Sequence, residues 1–366
     1  MDVVQERIDG FLEERRPALA ALSPDLAPFS AFSADLLRGG KRFRALFCWW
    51  GWQSVAGLGD DFDPLGTAPD ADRLAAVVDA AVGLEFFHAA ALVHDDIMDN
   101  SDTRRGLPAA HRRFGALHRD GAWLGAPDAF GTSGALLLGD LLLAWSDELV
   151  IGALDSLPDR AAARAARAEF DRMRQEVTLG QYLDILEENA WRSVPDADLL
   201  GRAQRVIVYK SAKYSVEAPL TIGGAMAGGA PEHLEALRHF GLPLGIAYQL
   251  RDDLLGVYGD PAVTGKPAGD DLREGKRTVL VATARRQLPP TAVRLLDELL
   301  GDPELDEDQI GMLQATLRES GAVDSVEQAI TDQVERALHA LDRAPLAASA
   351  RAQLSRLAET VTRRDW

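Results

Sequence analysis

The chain has 366 residues, 47% of them hydrophobic and 26% charged, and its 39 Lys+Arg set against 57 Asp+Glu give a formal net charge of −18. Such a composition supports a sizeable packed core, excludes wholesale disorder, and leaves room for two or three average domains or one large all-helical unit. The acidic balance argues against a protein that grips nucleic-acid phosphates or an anionic membrane surface. The single Cys48 allows neither an intramolecular disulfide nor a cysteine-based zinc site.

In chain order, the N-terminal MDVVQERIDGFLEERRPALA places charges every few positions and lacks the apolar stretch of a signal peptide. No uncharged run reaches the roughly 18 residues of a spanning helix. A reducing, cytoplasmic setting is therefore expected, for a protein that is soluble or at most peripheral. RGGKRFR at 38–44 carries Arg38, Lys41, Arg42 and Arg44 with no acid, and a Gly/Pro/Asp-rich break follows at 55–72. Residues 73–99 are almost uniformly apolar, too long for a strand and typical of a buried helix. A second break is expected at 120–134. Helical patterns follow at 136–150, 161–190, 199–227 and 237–258, then a charged break at 259–270. From about 291 onward, shorter amphipathic pieces read as a peripheral helical layer. Strand-type alternation is nearly absent, so the fold class is all-α, a single large helical bundle.

Two acidic clusters end two of the apolar helices. Asp95 and Asp99 stand at i and i+4 with Asp96 alongside, so the carboxylates share one side of a helix. Carboxylates that close repel unless a hard divalent cation or solvent screens them. The second cluster is Gln249-Leu250-Arg251-Asp252-Asp253. Either one alone is compatible with a solvated acidic helix end. Facing each other, they would hold magnesium together with a ligand rich in phosphate oxygens, because magnesium favours a few carboxylates plus substrate phosphates.

The cations are grouped beside these acids: Arg104 and Arg105 after the first cluster, Lys210 and Lys213 in a stretch without carboxylates, Lys266 in VTGKPAGDD, and Lys276 with Arg277 in REGKRT. Singly each reads as a surface charge. Together they suggest one phosphate pocket that works through metal and another that works directly through Lys and Arg. Two diphosphates at the mouth of an apolar cavity specify ionisation of a diphosphate, with Phe86, Phe87 and Leu92 as candidate walls for the carbocation left behind. No G-x-S-x-G, H-E-x-x-H or Walker pattern points elsewhere.

GGKRFR, HDDIMDNSDTRRG, GQYLD, YKSAKYS and QLRDDLLGVYGDPAVTGKPAGDDLREGKRT occur in the order and approximate spacing of the trans-isoprenyl diphosphate synthases, or polyprenyl synthetases, which this chain resembles over about two thirds of its length. The resemblance implies an isoprenoid-synthase bundle around a deep apolar cavity, one domain over 1–366 with its catalytic core at about 30–290. It implies that isopentenyl diphosphate attacks an ionised allylic diphosphate (dimethylallyl, geranyl or farnesyl), and that a proton is then lost to the released diphosphate. Asp95, Asp96 and Asp99, with Asp252, Asp253 and Asp184 opposite, would hold Mg2+, about three ions per site with Mn2+ able to substitute. Arg104, Lys210, Lys266 and Lys276 would cradle the allylic diphosphate. Lys41, Arg44, His88 and Arg105 would form the isopentenyl diphosphate site, and Gln181, Asp184, Ser211 and Gln249 would line the reaction centre. His88 lies two helical turns before Asp95 on the same face; on its own it reads as a satisfied core histidine. A homodimer is also implied.

The second aspartate motif departs from the family pattern: its fifth position is Gly256, and Asp260 is no obvious substitute because GVYGDP reads as the helix end. The departure is read as a tolerated variant. Ala90 and Ala91, one turn before Asp95, leave the elongation tunnel open and favour geranylgeranyl diphosphate (C20), unless they simply permit close helix packing. A class I terpene cyclase would not need Lys41, Arg44 and Arg105. A non-catalytic subunit of a heteromeric prenyl synthase would not need the complete DDIMD.

Overall fold

The computed structural model describes residues 2–59, 71–260 and 269–362. Helices follow one another along the chain: α1 (Asp2–Leu22), α2 (Ala27–Leu36), α3 (Phe43–Ala56), α4 (Ala71–Met98), α5 (Ala110–Asp120), α6 (Pro127–Ser156) and α7 (Arg160–Ala190). Then α8 (Asp196–Val206) runs without a break into a π-helical segment, Ile207–Glu217, and on into α9 (Ala218–Met226). After α10 (Pro231–Tyr258) come the short α11 (Asp270–Glu274), α12 (Val279–Gln287), α13 (Pro290–Leu299), α14 (Glu307–Glu319), α15 (Ala322–Asp342) and α16 (Ala348–Thr362). Among the described residues, strand is confined to a hairpin of β1 (Thr103–Arg104) and β2 (Leu107–Pro108). The all-α expectation therefore holds.

Helical periodicity gives α4 three different neighbours. Phe86, Ala90 and Val93 join Ile8 and Phe11 of α1 and Leu138 of α6 in one apolar cluster, where the Phe86 ring meets Phe11 edge-on at 5.2 Å. Ala80, Leu84 and Phe87 join Phe170 and Met173 of α7 in another. His88, Ala91, Leu92 and Asp95 border a cleft. Phe86 and Phe87 thus belong to the core rather than to the cleft wall, and of the three expected wall residues only Leu92 borders it. The approach of α6 requires Gly83, since a Cβ there would lie 2.5 Å from Val150 Cγ2. α4 is long and apolar enough to cross a membrane, yet 72% of that apolar window is buried by its neighbours.

Small residues also account for a shifted boundary. The break expected at 120–134 ends at Ala126, and α6 begins at Pro127. Gly131 and Gly134 are helix contacts rather than turn residues: a Cβ on Gly134 would stand 2.7 Å from the Phe114 ring of α5. The C-terminal helices are more than a peripheral layer. α15 lies along α10, with Val326 and Ile330 in the same cluster as Leu250, Leu254 and Val257, and Arg251 pairs with Glu327 at 2.6 Å.

Candidate active site

The cleft has a volume of about 620 Å³ and is enclosed by α4, α7, the π segment and α10. The π segment packs closely against α7 and α10, and a glycine on each of those helices permits the approach. A Cβ on Gly180 of α7 would overlap the Lys210 backbone, and one on Gly245 of α10 would lie 2.5 Å from Ala212 O. Lys210, Ser211, Tyr214 and Ser215 all face the cleft, an alignment favoured by the wider π turn, a feature concentrated at functional sites. Lys213 points the other way, donating to Glu176 at 2.8 Å.

One end of the cleft is acidic and densely paired. Lys210 Nζ donates to Asp95 Oδ1 at 3.1 Å and also pairs with Asp184, while Gln181 Nε2 donates to the same Asp95 oxygen at 2.9 Å. Lys276 Nζ reaches Asp99 at 2.7 Å, Glu188 at 3.0 Å and Asp184 at 3.6 Å. Burial works to raise the Asp95 carboxyl, but Lys210, Lys276 and Arg104 overcome it and hold Asp95 below the ordinary carboxylate range. Asp99 is pushed up, by burial first and then by Asp95. Across the cleft, Gln249 donates to Asp253 at 2.8 Å. Burial, reinforced by Asp271, Asp252 and Asp184, pushes Asp253 well up.

Asp96 occupies a different place from its two companions. It is 1% exposed, does not border the cleft, and accepts from Arg104 Nε at 2.9 Å. In this arrangement it positions Arg104, whose guanidinium stands 3.8 Å from Asp95, rather than standing beside Asp95 and Asp99 at the cleft. Ala90 is likewise absent from the lining, fully buried toward α1 and α6, whereas Ala91 borders the cleft. Lys266 lies outside the described residues.

The other end of the cleft is basic. The β1–β2 hairpin turns through Arg105 and Gly106, both with positive φ, the geometry of a tight two-residue hairpin. It sends Arg104 toward Asp96 and Arg105 toward the Gly39–Gly40 turn, where Arg105 Nη1 donates to Leu36 O at 3.1 Å. Lys41 and Arg44 border the cleft beside it. Arg44 donates to Ser215 Oγ at 2.8 Å and lies 4.4 Å over the Tyr214 ring. His88 Nδ1 is 2.9 Å from the Tyr214 hydroxyl. Burial first, then Arg44, Arg105, Arg104 and Arg42, keep this imidazole well below its usual pKa and therefore neutral.

Several contributors were not singled out from sequence. Buried Arg42, with left-handed backbone, donates to Glu85 Oε2 at 3.2 Å, and Glu85 Oε1 accepts from Ala45 N at 3.2 Å. Arg42 was visible in GGKRFR, but nothing in the sequence distinguished its structural role from that of its cationic neighbours. Tyr214 and Ser215 sit within YKSAKYS. Ser101 donates to Glu274 at 2.9 Å and so ties α11 to the chain just beyond α4.

The donor set suits a hard divalent cation. It is all-oxygen, and two of its carboxyls, Asp99 and Asp253, are pushed up by burial and acidic neighbours that a cation would offset. Among the described residues no three acidic, histidine or cysteine side chains form a ready-made cage, as expected where substrate phosphates and water complete the coordination.

An all-α bundle whose cleft has acidic clusters at one end and grouped cations at the other defines an isoprenoid synthase of the trans-prenyl type. The polyprenyl synthetase profile matches residues 28–317, and the chain belongs to that family. It is 31% identical over 326 residues to a geranylfarnesyl diphosphate synthase of Aeropyrum pernix, covering 89% of this chain and 90% of that one. To a geranylgeranyl diphosphate synthase of Methanosarcina mazei it is 30% identical, with 74% of each covered. Among solved structures it is similar to the geranylgeranyl pyrophosphate synthase of Corynebacterium glutamicum complexed with isoprenyl diphosphate and magnesium, at TM-score 0.89 and 38% identity over 100% of this chain and 98% of that one. The chain is a trans-isoprenyl diphosphate synthase acting on isoprenoid diphosphates.

Proposed function

We propose that this synthase condenses isopentenyl diphosphate with an allylic diphosphate in a magnesium-dependent reaction and releases geranylgeranyl diphosphate (C20). The observation that carries this reading is the pair of anion pockets on one cleft, one edged by Lys41, Arg44 and Arg105, the other by Lys210, Lys276 and the two aspartate clusters. A class I cyclase has no use for the first pocket, and a non-catalytic subunit has none for the second.

Asp95, Asp99, Asp252 and Asp253, with Asp184 nearby, would hold the magnesium. Bound there, it would neutralise the charge that grows on the leaving diphosphate. Lys210 and Lys276 supply further positive charge to the same group, and Arg104 is aimed at it by Asp96. Lys41, Arg44 and Arg105 hold the second diphosphate so that its alkene lies toward the ionising carbon. Neutral His88 adds no charge between the two. Leu92 and Ala91 exclude water from the cation, and the proton lost after the new C–C bond forms passes to the released diphosphate.

Ala91 supports the C20 assignment, since a methyl side chain on the lining leaves room for the growing chain. The relatives include synthases named for C20 and C25 products, so this position, rather than membership of the family, carries the assignment. One domain with its catalytic core at about 30–290 and a cytoplasmic location complete the reading. So does a homodimer formed through α6, whose Phe130, Leu136 and Leu137 are exposed. Mass spectrometry of products from isopentenyl diphosphate with each of the C5, C10 and C15 allylic primers tests the reaction. A C20 diphosphate is expected; a cyclic hydrocarbon, or no product from the protein alone, would overturn it.

A further inference from the structure

Lys276, Arg277 and Thr278 join α11 to α12 and lie outside any helix, so no helix of its own fixes the direction of Lys276. Its place depends on what this short linker grips. Consecutive linker residues meet consecutive turns of α7: Lys276 Nζ reaches Glu188 at 3.0 Å and Asp184 at 3.6 Å, and the Arg277 guanidinium lies 3.7 Å over the ring of Trp191. Asp184, Glu188 and Trp191 are spaced i, i+4 and i+7, about one helical turn apart each.

A cation against a desolvated aromatic face is held more firmly than one at an exposed site, and this pair is enclosed. The Arg277 side chain is 11% exposed, and Arg285 and Arg192 lie over the same ring at 5.2 Å each. Asp297 of α13 stands 3.5 Å from Arg277 Nη1 and also pairs with Arg285, which donates to Asp196 at the start of α8 at 2.9 Å. Arg277 borders the cleft, yet its guanidinium is engaged by Trp191 and Asp297, and its Nε finds no acceptor among the described residues. The stack on Trp191 thus ties the linker to the end of α7, with α8, α12 and α13 gathered around it.

We infer that Trp191 is a positioning residue for Lys276: by holding Arg277 on its ring it anchors the linker to α7, and so keeps the Lys276 ammonium among Asp99, Asp184 and Glu188. This rests on the function proposed above, which sets Lys276 against the leaving diphosphate. With the ring removed, Arg277 keeps the aspartate it shares with Arg285, the linker is free to lift from α7, and Lys276 is the cation that loses its place.

The test is a double-mutant cycle read by calorimetry of inorganic diphosphate binding in the presence of Mg2+, with folding checked by circular dichroism. Lys276→Met is expected to weaken binding about 10-fold. Trp191→Leu is expected to weaken it about 5-fold, and Trp191→Phe, which keeps a flat aromatic face, to retain most of the wild-type affinity. In the Lys276→Met background Trp191→Leu should add less than about 2-fold, because a residue that acts through Lys276 has nothing left to position. A ring that merely stabilised the fold would show the same effect with or without Lys276. Wild-type affinity in Trp191→Leu, or an undiminished effect of that change in the Lys276→Met background, would overturn the inference. Should Trp191→Leu fail to fold, Arg277→Met takes its place in the cycle: it removes the stacked cation, and its effect must likewise vanish when Lys276 is absent. Lys276→Met binding diphosphate as tightly as wild type would instead remove Lys276 from the pocket, and with it the functional reading on which the inference stands.

Discussion

Lys276 Nζ stands 2.7 Å from Asp99 Oδ2, joining the segment after α11 to the end of α4. The same ammonium faces Glu188 and Asp184 of α7, so one cation balances carboxylates from two helices. Burial alone would lower a lysine, but Asp184, Asp99, Glu188 and Asp95 hold this one well above its ordinary range. Lys276→Met should leave those carboxylates in mutual repulsion and withdraw a positive charge from the allylic diphosphate. Turnover is expected to fall roughly 100-fold. KM for the allylic substrate should rise while KM for isopentenyl diphosphate stays near wild type. Steady-state kinetics with each substrate varied in turn gives the answer, and an unchanged allylic KM would place Lys276 outside that pocket.

The two alanines of α4 make different predictions because Ala90 packs into the core while Ala91 borders the cleft. Ala91→Phe puts a ring on the cleft lining and should shorten the product to C15 or C10, read by mass spectrometry. Ala90→Phe forces a ring into the packed space shared with Phe11, Phe86 and Leu138, which should cost about 1–3 kcal/mol in a denaturant melt with little change in product length. Equal shortening by both would show that the growing chain reaches the α1–α4–α6 cluster.

Glu85 should behave as a positioning residue for the basic end. It is buried, neutralises Arg42, and accepts the Ala45 amide in the first turn of α3. Glu85→Ala leaves Arg42 buried without its carboxylate, at a cost of about 3–5 kcal/mol. Glu85→Gln keeps the volume and the Ala45 acceptor. It is therefore expected to fold and to raise KM for isopentenyl diphosphate severalfold while sparing kcat, because Lys41 and Arg44 flank the strained Arg42 backbone. If the glutamine variant instead lost kcat with KM unchanged, Glu85 would be acting on the reacting atoms.

What could be read from the sequence was the chemistry-bearing face of each long helix. His88, Asp95 and Asp99 recur at intervals that any α-helix places together, and the structure puts all three on the cleft. The sequence was silent where side-chain direction depends on a neighbour's backbone. Asp95 and Asp96 are adjacent identical residues, and only the hairpin after α4, bent through Arg105 and Gly106, determines that Asp96 takes Arg104. Phe86 and Phe87 looked like cavity walls because apolar periodicity cannot tell an inward face that meets a void from one that meets another helix. The π segment was equally hidden: its residues have ordinary helical propensity, and the glycines of α7 and α10 that let those helices pack closely against it lie far away in sequence.

His88 provides a test of the electrostatics by pH. Burial and the guanidinium groups of Arg44, Arg105, Arg104 and Arg42 keep its folded-state pKa well below the ordinary value, whereas the unfolded chain should titrate near 6.5. The unfolded state therefore takes up a proton as pH falls through about 6.5, and the folded state does not follow until lower pH. The stability that His88 contributes is complete above that value and is lost as the medium is acidified toward the folded-state pKa. The raised carboxyls of Asp99, Glu188 and Asp253 work in the opposite sense, so the comparison must be with a variant rather than with wild type alone. His88→Asn retains a side-chain polar group near Tyr214 and removes the titration. Between pH 7.5 and 5.5 the wild-type melting temperature should fall by roughly 1–3 °C more than that of His88→Asn. Parallel pH profiles for the two proteins would show that the arginines around His88 do not hold it neutral.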